Sequence, residues 1–441
     1  MQKPCQSCLF PPLAGETRRI LDSLPGLIDG AFPLPARFRP GLKRDVAELS
    51  RLLTSDRQDR GASYLGRPAL LSAYLRYFLP WNIYRLCRFL PCLPLDLKPN
   101  DAVLDLGAGP LTLAASLWIS RPDLRSIPLE FRCVDRTAAV LDAGKKFFAA
   151  LAPGSPWIIK TIKGELKNFG SRGLSVEIKG KPAALSAAVN VYNELFWDFS
   201  PVDTERLKLF TENQARLLSS LTESSGSILV VEPGIPRSGE FISLLRSSLM
   251  KEGRFPLSPC VHQAPCPLPG RYVPSRAGAK TGKANQKARW CHFAFDTEDA
   301  PQALHKLSDA AGLPKERAVL SFILSGPAPL EAKSPAALSP GTALSSGATL
   351  PGPAKVRVIS DSFLIGSGPK QKTQTAEFGR YGCSERGLVL VTGSKKSLES
   401  SPSGTLEELS LLDGLKDAKS GALVARHSRT PAERASANAL L

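Results

Sequence analysis

The sequence predicts an α/β protein whose centre is a doubly wound, mostly parallel sheet. Residues 99–326 alternate short apolar runs with helix-like runs, which is typical of βαβ units. Residues 13–98 show helical apolar periodicity, and residues 327–354 are rich in Pro, Ala, Ser and Gly, as linkers are. The predicted divisions are a helical N-terminal region at 1–98, the sheet domain at 99–326, a linker at 327–354, a β-rich module at 355–397 and a mobile tail at 398–441.

Four strands and their helices carry the prediction for the central domain. The strand-like runs are AVLDLG, LEFRCVD, ALSAAVNVYN and SILVVEPG, and a helix-like run follows each of them. In the module, KVRVISDSFLIG and RGLVLVTGSKK are predicted strands, and a short helix is predicted in the tail around TLEELSLLDGL. Ligands of such open sheets bind at the carboxyl ends of the strands, so functional residues are expected there.

The net charge favours a polyanionic partner. The 441 residues include 57 Lys and Arg against 40 Asp and Glu, a net charge of +17, which suits phosphate neutralisation. Residues 67–88 interleave arginines with Tyr and Trp, as an RNA-binding surface does. The same pattern also fits an amphipathic pair of helices packed on the next domain, and both interpretations stay open.

The thiols are expected to be reduced. No run reaches 18 apolar residues, and MQKPCQSCLFPPLAG has no basic segment leading into an apolar one. A cytoplasmic protein without a membrane partner is therefore expected, and a monomer when it is free of larger assemblies. In that compartment the nine cysteines are better read as metal ligands, redox groups or buried apolar residues than as disulfides.

A glycine turn after the first strand predicts a nucleoside cofactor. VLDLGAGPLTLAA places Asp105 at the strand end and Gly107 and Gly109 in the turn, where the absence of Cβ atoms lets a ligand approach. Asp135, at the end of the second strand, suits hydrogen bonds from ribose hydroxyls. Thr112 stands where a dinucleotide motif needs its third glycine, whereas Asp105 suits S-adenosylmethionine (SAM), so SAM is favoured. The usual methyltransferase motif has one more glycine, at the position of Leu111.

The loop after the fourth strand supplies the catalytic candidates. NVYNELFWD offers Asn190, Asn193 and Glu194 at the ligand-binding edge of the sheet. The loop matches neither the D/N-P-P-Y motif of amino-methylating enzymes nor the Pro-Cys motif of 5-methylcytosine enzymes. No base or nucleophile stands out, and a helix start with capping polar residues explains the same letters.

Four later cysteines are candidate metal ligands. Cys260, Cys266, Cys291 and Cys383 are separated by 5, 24 and 91 residues, and four thiolates suit a [4Fe–4S] cluster or zinc. Paired C-x2-C motifs are missing here, and unrelated cysteines remain an alternative. His262 and His292 are possible substitute ligands. The basic segment 251–289 suggests that a metal centre would hold an RNA-facing loop, Cys5 and Cys8 form a possible redox or metal pair, and Cys87, Cys92 and Cys133 are predicted to be buried.

These motifs together resemble the methyltransferase-like family associated with the small subunit of mitochondrial ribosomes, which has bacterial members. The resemblance runs from the helical N-terminal region to about residue 396. It rests on VLDLGAGPLTLA, VVEPGIPRSGEFISLLR, CVHQAPCP, RWCHF and GCSERGLVLVTGSKK.

The resemblance implies a SAM-methyltransferase-like fold that engages small-subunit ribosomal RNA during ribosome assembly and translation. It implies a [4Fe–4S] cluster on Cys260, Cys266, Cys291 and Cys383, and cofactor contacts from Asp105, Gly107, Gly109 and Asp135. Two other functions fit the residues: an RNA-binding assembly factor that transfers no methyl group, and a zinc-stabilised RNA-binding protein.

Overall fold

The computed structural model describes residues 8–56, 64–166, 178–197, 204–270, 289–327, 352–365 and 377–427. Most of the predicted linker at 327–354 lies outside the described residues. The same holds for Cys5 and for most of the basic segment between Cys266 and Cys291.

A doubly wound sheet forms the centre of the molecule, as predicted. Its strands are β1 (Ala102–Leu106), β2 (Glu130–Asp135), β3 (Ile158–Lys163), β4 (Ala183–Val189), β5 (Thr222–Pro233), β6 (Phe255–Ser258), β7 (Phe293–Asp296) and β8 (Arg317–Gly326). The order is β3-β2-β1-β4-β5-β8-β6, with β7 also paired to β8. Strands β1 to β5 are parallel, and β8 runs antiparallel to β5. An antiparallel strand beside β5 departs from the parallel sheet of dinucleotide-binding domains.

Helices cover the sheet and build the N-terminal region. They are α1 (Gly15–Ala31), α2 (Leu42–Leu53), α3 (Pro68–Ala73), α4 (Leu79–Cys87), α5 (Thr112–Ser120), α6 (Ala138–Leu151), α7 (Tyr192–Leu195), α8 (Thr204–Leu221), α9 (Pro236–Lys251), α10 (Gln302–Ala310) and α11 (Lys395–Glu399). A π-helical turn, Tyr74–Phe78, joins α3 to α4. No helix in the described part of the chain is long and apolar enough to cross a membrane.

The aromatic residues of 67–88 mostly pack against the sheet domain. Tyr77, Trp81 and Tyr84 are at most 4% exposed. The Trp81 indole N–H donates to Ser308 Oγ at 3.2 Å, and Arg88 Nη1 lies 2.6 Å from Asp299 Oδ1. The structure thus favours the amphipathic packing interpretation over an RNA-binding surface at these three residues, because their rings are buried in the core.

The C-terminal module is larger than predicted. Its seven strands are β9 (Ala354–Val358), β10 (Phe363–Leu364), β11 (Phe378–Ser384), β12 (Gly387–Gly393), β13 (Leu406–Leu409), β14 (Leu411–Lys416) and β15 (Leu423–Arg426). They form a second sheet in the order β13-β9-β11-β12-β15-β14, with β10 beside β11. The predicted mobile tail from 398 and its helix are therefore wrong as far as residue 426. The helical pattern was overridden because β13 pairs with β9, and β15 with β12.

The second sheet is fastened to the first domain by buried polar contacts. Arg357, on β9, donates from Nε to the Pro259 carbonyl of the first domain at 3.1 Å, while its Nη1 donates within the module to the Gly404 carbonyl at 2.9 Å. Cys8 forms an isolated β-bridge with Thr405, so the second cysteine of CQSC is held at this module. The loop that carries Cys260 is thereby attached to a strand almost one hundred residues further along the chain.

Candidate functional site: a cofactor cleft and its neighbours

A cleft opens at the carboxyl ends of β1, β2 and β4. All four residues predicted for the cofactor line it, namely Asp105, Gly107, Gly109 and Asp135. Asn190 and Glu194 line it from the loop after β4, whereas Asn193 lies in the adjoining cavity. The strands are parallel, so their carboxyl ends share one edge and bring these distant residues together.

Asp105 is the least satisfied polar group of the cleft. Its side chain is 1% exposed, and neither carboxylate oxygen has a hydrogen-bond partner in the described structure. Burial, and secondly the charge of Asp135, raises the pKa of this carboxyl to about 7. A buried acid without partners is costly, whereas a cationic ligand group would stabilise its ionised form.

Asp135 holds the glycine turn in place. Its Oδ2 accepts a hydrogen bond from the Gly109 backbone N–H at 3.0 Å, and its Oδ1 accepts one from the Thr137 N–H at 2.9 Å. Two carboxylate oxygens offer about four acceptor sites, so capacity remains for ribose hydroxyls. The residue therefore fits the predicted role and also fixes the turn that approaches the ligand.

The two glycines of the turn have different roles. Both adopt left-handed backbone angles, with φ of +71° at Gly107 and +53° at Gly109. A Cβ on Gly107 would lie 2.4 Å from Val191 Cγ2, so this glycine permits the turn to pack on the loop after β4. A Cβ on Gly109 would meet nothing within 4 Å. Gly109 thus leaves space open beside the cleft.

Leu111 takes the place of the usual extra glycine without entering the cleft. Its φ is 60°, the left-handed region that glycine adopts most readily, and its side chain is fully buried. A Cβ on Gly144 in α6 would lie 2.6 Å from Leu111 Cγ. The missing side chain of Gly144 therefore makes room for Leu111 in the core.

The loop after β4 is positioned by a buried acid that the sequence analysis did not assign to the site. Glu232, on β5, is fully buried and accepts hydrogen bonds from the Tyr192 N–H at 2.8 Å and the Asn193 N–H at 3.0 Å. Burial raises the pKa of this carboxyl to about 8. The available signal was a lone acid inside the apolar run SILVVEPG.

Asn190 lies where the cleft meets its neighbouring cavity. Its φ of +56° is unusual for a residue other than glycine, and its side-chain Oδ1 has no hydrogen-bond partner among the described residues. Strained backbone and unsatisfied polar atoms both concentrate at functional sites. Glu194 instead forms an ion pair with Arg136, with Oε2 and Nη2 3.7 Å apart.

The four candidate ligand cysteines come from three parts of the fold. Cys260 and Cys266 lie after β6, Cys291 lies before β7, and Cys383 is on β11 of the second sheet. Burial, followed by the charges of neighbouring cysteines, raises the pKa of the Cys291 and Cys383 thiols well above the usual range. The four thiols are therefore close enough to influence one another.

A mononuclear metal site is not found there. Within the residues that the structure describes, no group of three or more His, Cys, Asp or Glu side chains is arranged to hold a metal ion. His262 approaches Cys383, with Nε2 and Sγ 3.2 Å apart, and His292 Nδ1 lies 3.2 Å from the Trp290 carbonyl. Cys87, Cys92 and Cys133 are buried, as predicted.

Comparison with known proteins supports the family resemblance. Residues 181–349 match the family described as mitochondrial small ribosomal subunit Rsm22. No curated protein matches the sequence significantly.

Solved structures with a similar fold include methyltransferases of three bacteria. A class I SAM-dependent methyltransferase of Listeria monocytogenes is 11% identical, with a TM-score of 0.31 and coverage of 73% of this chain and 90% of that one. A SAM-dependent methyltransferase of Thiobacillus denitrificans, solved with S-adenosyl-L-homocysteine, is 13% identical, with a TM-score of 0.29 and coverage of 56% and 90%. A SAM-dependent methyltransferase of Geobacter sulfurreducens, solved with the same ligand, is 12% identical, with a TM-score of 0.29 and coverage of 56% of this chain and 91% of that one.

The fold class follows from the strand order of the sheet itself, in which parallel β1 to β5 are followed by the antiparallel β8. This confirms the predicted doubly wound, methyltransferase-like fold with its helical N-terminal region and β-rich C-terminal module. Over residues 181–349 the resemblance inferred from the sequence is likewise confirmed, because this part of the chain matches the family described as mitochondrial small ribosomal subunit Rsm22.

Proposed function

We propose that the chain is a SAM-dependent methyltransferase that acts on ribosomal RNA of the small subunit during ribosome assembly. One observation carries the proposal: the buried, unpartnered carboxylate of Asp105 faces a cleft bordered by Gly107, Gly109 and Asp135. A buried acid in this state fits a ligand that brings its own positive charge, and SAM carries both an ammonium and a sulfonium group.

The residues of the cleft fit this cofactor. Asp105 would receive the ammonium group, Asp135 the ribose hydroxyls, and Gly109 would leave room for the nucleoside. When bound, SAM supplies an activated methyl group. The cleft measures about 120 Å³, which is tight for a nucleoside, so binding requires side chains at its rim to move.

Asn190 is the candidate contact for the methyl acceptor. Its free Oδ1 lies at the junction of the cleft with the adjoining cavity, where it can accept a hydrogen bond from an N–H or O–H group. Glu232 acts through this loop, since it fixes the backbone of Tyr192 and Asn193. Glu232 is therefore a positioning residue.

The small ribosomal subunit is the proposed partner. The match to a family named for that subunit supports this partner, and so does the net charge of +17, since RNA is a polyanion. We further propose that the protein acts in the cytoplasm and is a monomer when it is not bound to the subunit. An RNA-binding assembly factor without methyl transfer would retain the same partner.

We also propose that Cys260, Cys266, Cys291 and Cys383 hold a [4Fe–4S] cluster. Four thiol donors suit this cluster, and a group of four irons holds its ligands farther apart than a single ion does. Arg246 donates from Nη2 to the carbonyls of His262 and Ala264 at 2.8 and 2.9 Å, beside the cysteine loop. The positive charge of Arg246 would stabilise the negative charge of thiolate ligands.

Two measurements test the proposed reaction. Calorimetry should detect SAM binding to the purified protein, and ribosomal RNA from cells without the protein should lack one methylated nucleotide. SAM binding with an unchanged methylation map would favour the assembly factor, and the absence of SAM binding would contradict the methyltransferase proposal.

Anaerobic purification tests the cluster. The protein should be brown and contain iron and acid-labile sulfide, and Cys383→Ser should reduce both. A colourless protein with stoichiometric zinc would contradict the cluster proposal and favour the zinc-stabilised alternative.

A further inference from the structure

A second cavity, which we call the acceptor chamber, opens beside the cofactor cleft. Its volume of about 880 Å³ is within the range of ligand sites in proteins. Tyr74, Asn82, Asn190 and Glu194 line both the chamber and the cleft. A molecule in the chamber would therefore reach the residues that border the cofactor.

Two cations of the chamber have no carboxylate in ion-pair contact among the described residues. Arg85 Nη1 donates to the Val319 carbonyl at 3.4 Å, and its Nη2 donates to the amide oxygen of Asn82. Lys315 Nζ lies 5.9 and 5.8 Å from the ring centroids of Tyr77 and Trp81. These contacts are all with uncharged groups.

The other two arginines that line the chamber each contact a carboxylate of the protein. Arg237 Nη1 lies 2.7 Å from Glu240 Oε2, and Arg317 makes a two-point contact with the Asp361 carboxylate. Each of these arginines is thus neutralised within the protein. Arg85 and Lys315 remain available to a ligand of opposite charge.

The placement of Lys315 is unfavourable in the absence of an anion, whereas the charge of Glu232 partly offsets the effect of burial on the pKa of Arg85. Burial, and secondly the charge of Arg85, lowers the pKa of Lys315 to about 8. A phosphate between the two side chains would stabilise both charges through charge-assisted hydrogen bonds.

Aromatic groups of the chamber suit a base. Trp197 is 41% exposed at the chamber wall, and nucleic-acid bases stack on such rings. Tyr74 lies at the junction with the cleft, on the π-helical turn, and such turns are frequent at functional sites. The chamber therefore combines cationic and aromatic groups, the two features that a nucleotide requires.

We propose that the acceptor chamber binds one nucleotide of an RNA strand, with its phosphate on Arg85 and Lys315 and its base against Tyr74 and Trp197. The role of this nucleotide as methyl acceptor rests on the proposed function, whereas its binding does not. Binding at this place would present the base to Asn190 and to the cofactor cleft.

Calorimetric titration of the full-length protein with cytidine 5′-monophosphate and with cytidine tests the proposal. The wild type should bind the monophosphate more tightly. Lys315→Gln should weaken monophosphate binding by about tenfold and leave cytidine binding unchanged, because only the phosphate contact is lost. Lys315→Arg should restore most of the affinity, because it restores the charge.

Lys160→Gln is the matched control, since Lys160 lies on β3 and pairs with Glu130, with Nζ and Oε2 2.6 Å apart. Its monophosphate affinity should equal that of the wild type. Equal affinity of the wild type for cytidine and its monophosphate, or no loss in Lys315→Gln, would overturn the proposal.

SAM titration separates this proposal from the proposed function. Lys315→Gln should bind SAM as the wild type does. Phosphate-dependent nucleotide binding without methyl transfer would support the chamber and contradict the enzyme. Methyl transfer that Lys315→Gln leaves unchanged, without phosphate-dependent binding, would overturn the chamber alone.

Discussion

Two buried acids at one edge of the same sheet differ in their partners. Asp105 on β1 has no hydrogen-bond partner in the described structure, whereas Glu232 on β5 accepts two backbone N–H groups. Burial raises the pKa of both carboxyls. The contrast indicates that Glu232 contributes to the fold and positions a loop, while the unpartnered Asp105 costs stability, which is why we propose a cationic ligand for it.

The largest effect is expected at the satisfied acid. Glu232→Ala leaves the Tyr192 and Asn193 N–H groups buried without acceptors, so the free energy of unfolding should fall by about 2–5 kcal/mol. Chemical denaturation measures this loss. A change below about 0.5 kcal/mol would show that water replaces the carboxylate and would remove the distinction between the two acids.

At Asp105, the acid without a hydrogen-bond partner, we expect an effect on SAM affinity and no loss of stability. Asp105→Asn keeps the shape but removes the charge, so SAM should bind about 100-fold more weakly, by analogy with other buried charge pairs. The free energy of unfolding should stay unchanged or rise. Calorimetry and denaturation of the same sample measure both, and an unaltered SAM affinity would contradict the role of Asp105.

The two acids share one pH dependence of stability. Both carboxyls have pKa values in the fold, about 7 and about 8, above those of the unfolded chain, so the fold binds protons that the unfolded chain releases. Their contribution to stability is therefore complete at low pH and is lost as the pH rises from about 4 to about 8.

SAM affinity should show the opposite trend, because the cationic ligand needs ionised Asp105. As the pH increases towards 7, SAM affinity should increase by up to about tenfold per pH unit. Asp105→Asn should abolish this slope. A slope retained in that variant would assign the titration to another group.

The smallest effect on the free energy of unfolding is expected at Glu194, a third acid at the same edge of the sheet. Glu194 pairs with Arg136 at 3.7 Å, and both side chains are partly exposed to solvent, which screens the pair. Glu194→Gln should change the free energy of unfolding by less than about 1 kcal/mol. A larger loss would show that Glu194 has a structural role of the kind assigned to Glu232.

Four of the five parallel strands were predictable because they are largely buried, whereas β3 is half exposed and was not predicted. Runs such as AVLDLG are continuously apolar, and all five residues of β1 are indeed buried. Strands β13 and β14 were not predicted, since their exposed edges carry polar residues and their pattern LEELSLL also fits a helix. Pairing with distant strands decided their structure.

The glycine turn could be assigned from neighbouring letters, because a left-handed turn after a strand is a local requirement. The acceptor chamber could not, since Tyr74, Arg85 and Lys315 lie on separate elements that only packing brings together. The fit of Leu111 in the turn could not be predicted from neighbouring residues either. Its compatibility with the turn depends on Gly144, a residue of α6 that nothing in the motif indicates.

The sequence by itself determined the doubly wound sheet and the positions of Asp105, Gly107, Gly109 and Asp135, because burial patterns and turn geometry act over short stretches of chain. Only the tertiary structure decided that Glu232 holds the loop after β4 and that Arg357 of the second sheet binds the loop of Cys260. Those contacts join residues far apart in sequence, and the free energy that stabilises them comes from packing, which local patterns do not encode.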